Sequence, residues 1–261
     1  MFDYHMHSTV SFDGKGSPEE MVSAAEKAGL REICFTDHID YDRRLEKQTM
    51  VFDFENYARS YDGLKSDRVL IRRGMEFGLT PWNRELIARD VKRRNFDFVL
   101  GSVHFVDDLD VYFEEFWDGR EVEQAYLRYL QEVLAMVRLH DEFDVLAHLT
   151  YICKARKNPT HAPIYFDDFH DLNDEILKEL VRKGKGLEMN TSGVDRCGDF
   201  LPPEGFFRRF RELGGEIVTV GSDAHTPDRV GQYCDRACGI LKDIFGYVCT
   251  FRQREPVFHK L

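Results

Sequence analysis

An α/β fold in a single domain spanning residues 1–261, with a parallel sheet covered by helices, is expected from three features of the chain. Short β-rich apolar segments alternate with helical segments along nearly the whole length, the pattern of repeated βα units. No linker, low-complexity tract or internal repeat divides the 261 residues, a length that one core can serve. Of the ten histidines, six fall where apolar segments end. Seven βα units are readable. A closed barrel and an open doubly wound sheet both accommodate them, although no GxGxxG follows the first strand, so a dinucleotide-binding sheet lacks its signature.

The elements follow in order. Phe2 to His7 reads as a strand. Ser17-Pro18-Glu19-Glu20 opens a helix, with Ser as N-cap, Pro at the first helical position and Glu closing a capping box; Gly29 ends it. Glu32 to Thr36 is a strand, Asp53 to Lys65 a weakly patterned helix, and Val69 to Glu76 and Phe96 to His104 are strands. Residues 120–140 carry the strongest helical period, with Val122, Ala125, Tyr126, Tyr129, Leu130, Val133, Leu134 and Val137 at three- and four-residue steps. Strand Asp144 to His148, helix Leu172 to Arg182, strand Gly186 to Asn190 and helix Pro203 to Leu213 come next. Strand Glu216 to Gly221, a helix from about Pro227 and a terminal strand over Tyr247 to Phe258 complete the chain.

Composition narrows the function. Lys plus Arg number 36 against 47 Asp plus Glu, a formal charge of -11, which disfavours wrapping a nucleic-acid backbone. No apolar run approaches the ~20 residues of a membrane span. The opening Met1-Phe2-Asp3-Tyr4-His5 has neither a basic start nor a long apolar segment, so a cytoplasmic protein is expected. The six cysteines form no CxxC pair and read as reduced, buried thiols.

The chemistry sits at the strand ends. His5 and His7 are two apart, so in a strand both imidazoles face one side. Thr36-Asp37-His38, Gly74-Met75-Glu76, Ser102-Val103-His104, Ala147-His148 and Ser222-Asp223-Ala224-His225 end later strands. The sixth strand offers only Asn190, a poor metal ligand. His140, His161, His170 and His259 lack such placement and read as surface or loop residues. Six imidazoles and at least two carboxylates exceed the needs of one four-coordinate ion and point to two or three transition metals, with Zn, Fe and Mn all fitting the donor set.

These segments, running from residue 5 to residue 225, resemble the polymerase and histidinol phosphatase (PHP) superfamily. The resemblance implies a distorted (β/α)7 TIM-like barrel with a trinuclear metal centre. One metal would take His5, His7, Glu76 and Asp223; a second Asp13, His38 and His225; a third Glu76, His104 and His148, with Glu76 as the bridge. Asp13 stands where many superfamily members have His, and Asp13-Gly14 also reads as a simple turn. Within the superfamily, the stand-alone length and the insert around residues 120–140 resemble the histidinol-phosphate phosphatases.

The implied activity is hydrolysis of a small phosphate monoester, L-histidinol phosphate, in histidine biosynthesis by a metal-bridging hydroxide. Three dications against Asp13, Glu76, Asp223 and a hydroxide leave the site positive by about two units, which a phosphate dianion would neutralise. Glu76 and Asp223 are the expected catalytic carboxylates, and Asp223 is a candidate proton carrier. Arg156 and Arg196, on loops after the fifth and sixth strands, are the expected phosphate ligands. The acids and aromatics of residues 106–119 are candidates to meet the substrate's amine and imidazole. Competing readings are another PHP phosphoesterase, acting on nucleotides, oligonucleotides or phosphotyrosine, or a metal-dependent deaminase. The latter is set against the absence of a Lys at any strand end.

Overall fold

The computed structural model describes residues 1–261. Seven parallel strands form one sheet: β1 Phe2–Met6, β2 Glu32–Phe35, β3 Leu70–Gly78, β4 Phe98–Ser102, β5 Val145–Leu146, β6 Gly186–Asn190 and β7 Val218–Gly221, paired in that order, with an eighth, two-residue strand, His38–Ile39, also paired parallel to β3. The sheet nearly closes on itself. Beyond β7, His7 N–H donates to Ala224 O at 2.8 Å, and Asp223 N–H donates to His5 O at 2.7 Å. The fold is therefore the TIM-like barrel, not an open sheet. Most strand residues are buried, as expected when helices cover the outer face and side chains fill the interior.

The helices lie between strands: α1 Pro18–Lys27, α2 Phe54–Tyr61, α3 Arg84–Val91, α4 Val122–Leu139, α5 His170–Arg182, α6 Glu204–Glu212 and α7 Cys234–Ile244. At α1 the Ser17 side chain accepts from the Glu20 amide while the Glu20 carboxylate accepts from the Ser17 amide, completing the expected box. In α4 the apolar stripe from Ala125 to Val137 packs into the core.

Three local expectations change. Helix α3 falls where none was read: its eight residues bury only Ile87 and Asp90, too few for a visible stripe. The helix expected from Pro227 is a single 3-10 turn, Pro227–Arg229, and α7 begins at Cys234. The terminal strand is an antiparallel hairpin, β8 Tyr247–Arg252 with β9 Glu255–Lys260. Phe251 O accepts from Tyr4 OH, Gln253 N–H donates to Asp97, and Arg254 pairs with Asp144, so this hairpin spans the amino-terminal ends of β1, β4 and β5 and closes the barrel floor. His140 is also corrected: it caps the carboxyl end of α4 and is buried, its Nε2 2.9 Å from Thr80 O. The six cysteines are free and buried. No helix is long and apolar enough to cross a membrane.

Over the opposite mouth stands a small hairpin, Phe105–Val106 with Leu109–Asp110. Its turn residues Asp107 and Asp108 both take left-handed backbone angles, the two-residue turn that matches strand twist. It carries Asp110, Tyr112 and Phe113 to the rim.

Candidate metal centre and active site

The carboxyl ends of the strands deliver their side chains into one buried cluster. Glu76, on β3, is its middle and is fully buried. Its Oε2 lies 3.0 Å from His5 Nε2, 3.4 Å from His7 Nε2 and 3.2 Å from His38 Nδ1. Its Oε1 lies 2.9 Å from His148 Nε2 and 3.4 Å from His104 Nε2, and accepts a hydrogen bond from Ser102. Asp223 Oδ1 faces the same pair as Oε2, at 3.6 Å from His5 Nε2 and 3.4 Å from His7 Nε2. On the outer side, Asp13 Oδ2 is 3.0 Å from His225 Nε2 and 3.7 Å from His38 Nε2. All nine expected metal-ligating side chains are thus brought together.

The spacing suits divalent ions. Corners of a tetrahedron ~3.3 Å apart lie ~2.0–2.1 Å from its centre, the usual length of a zinc–nitrogen or zinc–carboxylate bond. The distances linking His5, His7, Glu76 and Asp223 run from 3.0 to 3.6 Å. His7 Nε2, His38 Nδ1 and Asp13 Oδ1 are buried without a hydrogen-bond partner. Such orphaned atoms each cost about 1–3 kcal/mol unless something satisfies them. Groups able to hold an ion are His5–His7–Asp223, His5–Glu76–His148, His7–His38–His225 and His38–Asp40–His104.

Burial works against charge throughout the cluster, and neighbours decide each group. At Glu76 burial is outweighed by His5 and His38 and by bonds to His104 and His148, so the carboxyl stays well below the usual range. At Asp223 Lys154 and His5 do the same. At His5 burial loses to Glu188 and Glu76, which hold the imidazolium far above the ordinary value. At His7 burial wins, reinforced by His225 and His38, and the ring is held neutral.

A cavity of about 560 Å³ opens from this cluster, lined by His38, His104, His148, Asp223 and His225 below and by Phe12, Asp110, Tyr112, Phe113, Tyr151, Lys154 and Arg196 above. Asp110 is the acid of residues 106–119 that enters it, and burial pushes its carboxyl up to about 6. Asp107 and Asp108 turn away to pair with Arg128 and Arg43. Glu114 pairs with Lys157, and Trp117 is buried with its indole N–H on Val111 O. Arg196 lines the cavity, its Nη1 donating to Lys154 O at 3.0 Å.

Arg156 is not brought to the site: it is exposed and outside the cavity lining. The 3-10 turn Tyr151–Lys154 directs Lys154 inward instead. Its ammonium bonds Asp223 Oδ2, sits 2.8 Å from Ser192 Oγ and lies over the Tyr151 ring. A Lys therefore does stand at the metal cluster, and the ground on which a deaminase was set aside does not hold. Glu188 and Asp40 were also missed. Both were legible as partners two residues from Asn190 and His38, on the same strand face. Lys154, six residues beyond His148 and turned by a 3-10 helix, left no such pattern.

A barrel whose strand ends converge imidazoles and carboxylates on shared points defines a metal-dependent hydrolase architecture. Residues 3–192 match the PHP domain model, and the chain belongs to that family. It is 34% identical over 235 residues to the probable histidinol-phosphatase of Clostridium acetobutylicum, covering 88% of this chain and 89% of the relative. It is 33% identical over 259 residues to the histidinol-phosphatase of Lactococcus lactis subsp. lactis, covering 95% and 93%. The crystal structure of histidinol phosphate phosphatase from that organism, complexed with zinc, L-histidinol and phosphate, superposes with a TM-score of 0.88 at 27% identity over 98% of both chains. A putative histidinol phosphatase of Listeria monocytogenes shares the fold, with a TM-score of 0.75 at 18% identity over 90% of this chain and 99% of that one.

Proposed function

We propose that the chain is a metal-dependent phosphatase that hydrolyses L-histidinol phosphate to L-histidinol and phosphate. The observation that carries this reading is Glu76, each of whose oxygens faces a different set of imidazoles in a buried cluster. His5, His7, Glu76 and Asp223 would hold one divalent ion, Asp13, His38 and His225 a second, and Glu76, His104 and His148 a third. Zinc is the ion named with the Lactococcus lactis structure, and iron and manganese suit the same donors. Bound ions of this kind bring the pKa of water toward ~7 and stabilise charge on phosphoryl oxygens.

The chain's own residues supply the rest. Arg196 offers a guanidinium fork to the phosphate, and Lys154 adds a second cation on the same wall. Asp223 spans the two regions: Oδ1 faces His5 and His7, while Oδ2 turns toward Lys154 and Ser192. That oxygen would take a proton from the attacking water and return it to the departing alcohol. Asp110 would meet the ammonium of histidinol, and Tyr112 and Phe113 its imidazole. The similarity to histidinol-phosphatases over nearly the whole chain favours this substrate over nucleotides or a phosphotyrosine, and favours phosphate-ester hydrolysis over deamination.

The test is phosphate release from L-histidinol phosphate by metal-loaded protein before and after exhaustive chelation. Turnover should vanish on chelation, return with added zinc or manganese, and be absent from Glu76→Ala under every condition. Turnover that survives removal of all metal would overturn the reading.

A further inference from the structure

We infer that Glu188 and Asp40, two carboxylates outside the ligand sets above, are positioning residues that hold His5 and His104 with Nε2 turned into the metal centre, in seats kept open by Gly221 and Gly78. The inference rests on the metal-centre reading. It assigns work to two residues outside the three proposed ligand sets; Asp40, which with His38 and His104 could itself hold an ion and which lines the cavity, is assigned the support of His104.

The two arrangements repeat each other. His5 Nδ1 lies 2.7 Å from Glu188 Oε1, and its Nε2 lies 3.0 Å from Glu76 Oε2. His104 Nδ1 lies 2.9 Å from Asp40 Oδ2, and its Nε2 lies 3.4 Å from Glu76 Oε1. In each ring one nitrogen is engaged by an outer carboxylate, leaving the other to the centre. A ring N–H donated to a carboxylate fixes which nitrogen carries the proton, sets the ring plane, and makes the free nitrogen a stronger donor to a metal. Glu188 is itself held. Its Oε2 accepts from the His148 amide at 2.8 Å and from Asn190 Nδ2 at 3.1 Å, so one buried side chain ties β6 to β1 and β5.

The glycines are an independent observation. Gly78 and Gly221 both lie in strands, where glycine weakens the element, and neither has the positive φ that would require it. A Cβ at Gly78 would overlap Asp40 Oδ1, and its next neighbours are also Asp40 atoms. A Cβ at Gly221 would overlap Glu188 Oε1 and His5 Cβ. The strands therefore omit a side chain at the two points where these carboxylates sit. His148 provides an internal contrast, since its Nδ1 is buried with no partner; His7 Nδ1 meets Ser11 Oγ and His225 Nδ1 meets Asp223 O, so hydrogen bonding to an outer carboxylate is specific to two rings.

Zinc-reconstituted wild type, Glu188→Gln, Asp40→Asn and Gly78→Ala would be compared by chelator competition, which needs no turnover. Each variant should lose about 10- to 100-fold in affinity for one class of zinc while the remaining ions hold at wild-type affinity. Gly78→Ala should reproduce Asp40→Asn and leave the His5 site intact. In zinc-loaded protein carrying ¹⁵N-labelled histidine, the ring Nδ1–H protons of His5 and His104 should be slow to exchange. Glu188→Gln should perturb only that of His5, and Asp40→Asn only that of His104. Wild-type zinc affinity in both carboxamide variants, or equal weakening of every site, would overturn the inference while leaving the metal centre standing. A wild type that binds no zinc would instead remove the metal-centre reading on which the inference depends.

Discussion

Arg196 and Asp110 stand on the cavity wall as candidate contacts to the two ends of the proposed substrate. Arg196→Ala should lower kcat/KM for L-histidinol phosphate by about 10- to 1000-fold, the worth of a charge-assisted bond of ~1.5–4 kcal/mol, with metal content unchanged by elemental analysis. Unaltered kinetics would return Arg196 to a solvated loop charge. Burial pushes the Asp110 carboxyl up to about 6. Its carboxylate is charged above that value and neutral below it, so attraction to an ammonium is lost as pH falls through about 6. KM should therefore rise on acidification more steeply in wild type than in Asp110→Asn, where the titrations of the substrate's phosphate and imidazole remain but that of Asp110 is gone. Parallel pH profiles would place the amine elsewhere. At this scale the nine proposed ligands were legible because strand periodicity puts residues two apart on one face, and His5–His7 and Asp223–His225 use that spacing. Lys154 was not legible, nor was the outward turn of Arg156, because a 3-10 turn sets the direction of both and the run Lys154-Ala155-Arg156-Lys157 carries no period that distinguishes them.

Helix α1 shows how an element can be read from its first four residues. Ser17 and Glu20 satisfy each other's free amides at the helix start, and Pro18 has no amide to satisfy, as the sequence Ser-Pro-Glu-Glu led one to expect. Ser17→Ala should lower unfolding free energy by about 1 kcal/mol in a denaturant titration, with the slope unchanged; no change would show that the helix is fixed by packing alone. The floor hairpin was hidden for the opposite reason. Its turn uses Gln253 and Arg254 at positive φ, positions where Asn or Gly would have signalled a two-residue hairpin. Pairing of Arg254 with Asp144, and its bond to Glu142 O, hold that turn through tertiary contacts that no local pattern records. Helix α3 escaped notice because its exposed residues are charged and its buried face is one residue wide.

The whole molecule separates its tasks by face. The hairpin β8–β9 closes the amino-terminal end of the barrel, while the opposite end gathers the imidazoles, the acids and the cations Lys15, Lys154 and Arg196 around one cavity. The formal charge of -11 favours a small substrate over a nucleic-acid chain. Closure of the seven strands was beyond reach of residue patterns, which leave an open sheet equally available; it depends on the residues that end β1 and follow β7 meeting across the seam. The same seam seats His5, His7 and Asp223 side by side, so closing the barrel and assembling the proposed centre are one event. The most direct measurement of the proposed activity is kcat/KM of the metal-loaded protein for L-histidinol phosphate beside a neutral alkyl phosphate, a dinucleotide and a phosphotyrosine peptide. Histidinol phosphate should exceed the alkyl phosphate by at least ~10-fold, since one charge-assisted contact contributes ~1.5 kcal/mol or more, and should exceed the other two as well. Faster turnover of the dinucleotide or the phosphotyrosine peptide would contradict the substrate assignment and leave a phosphoesterase of different specificity on the same barrel.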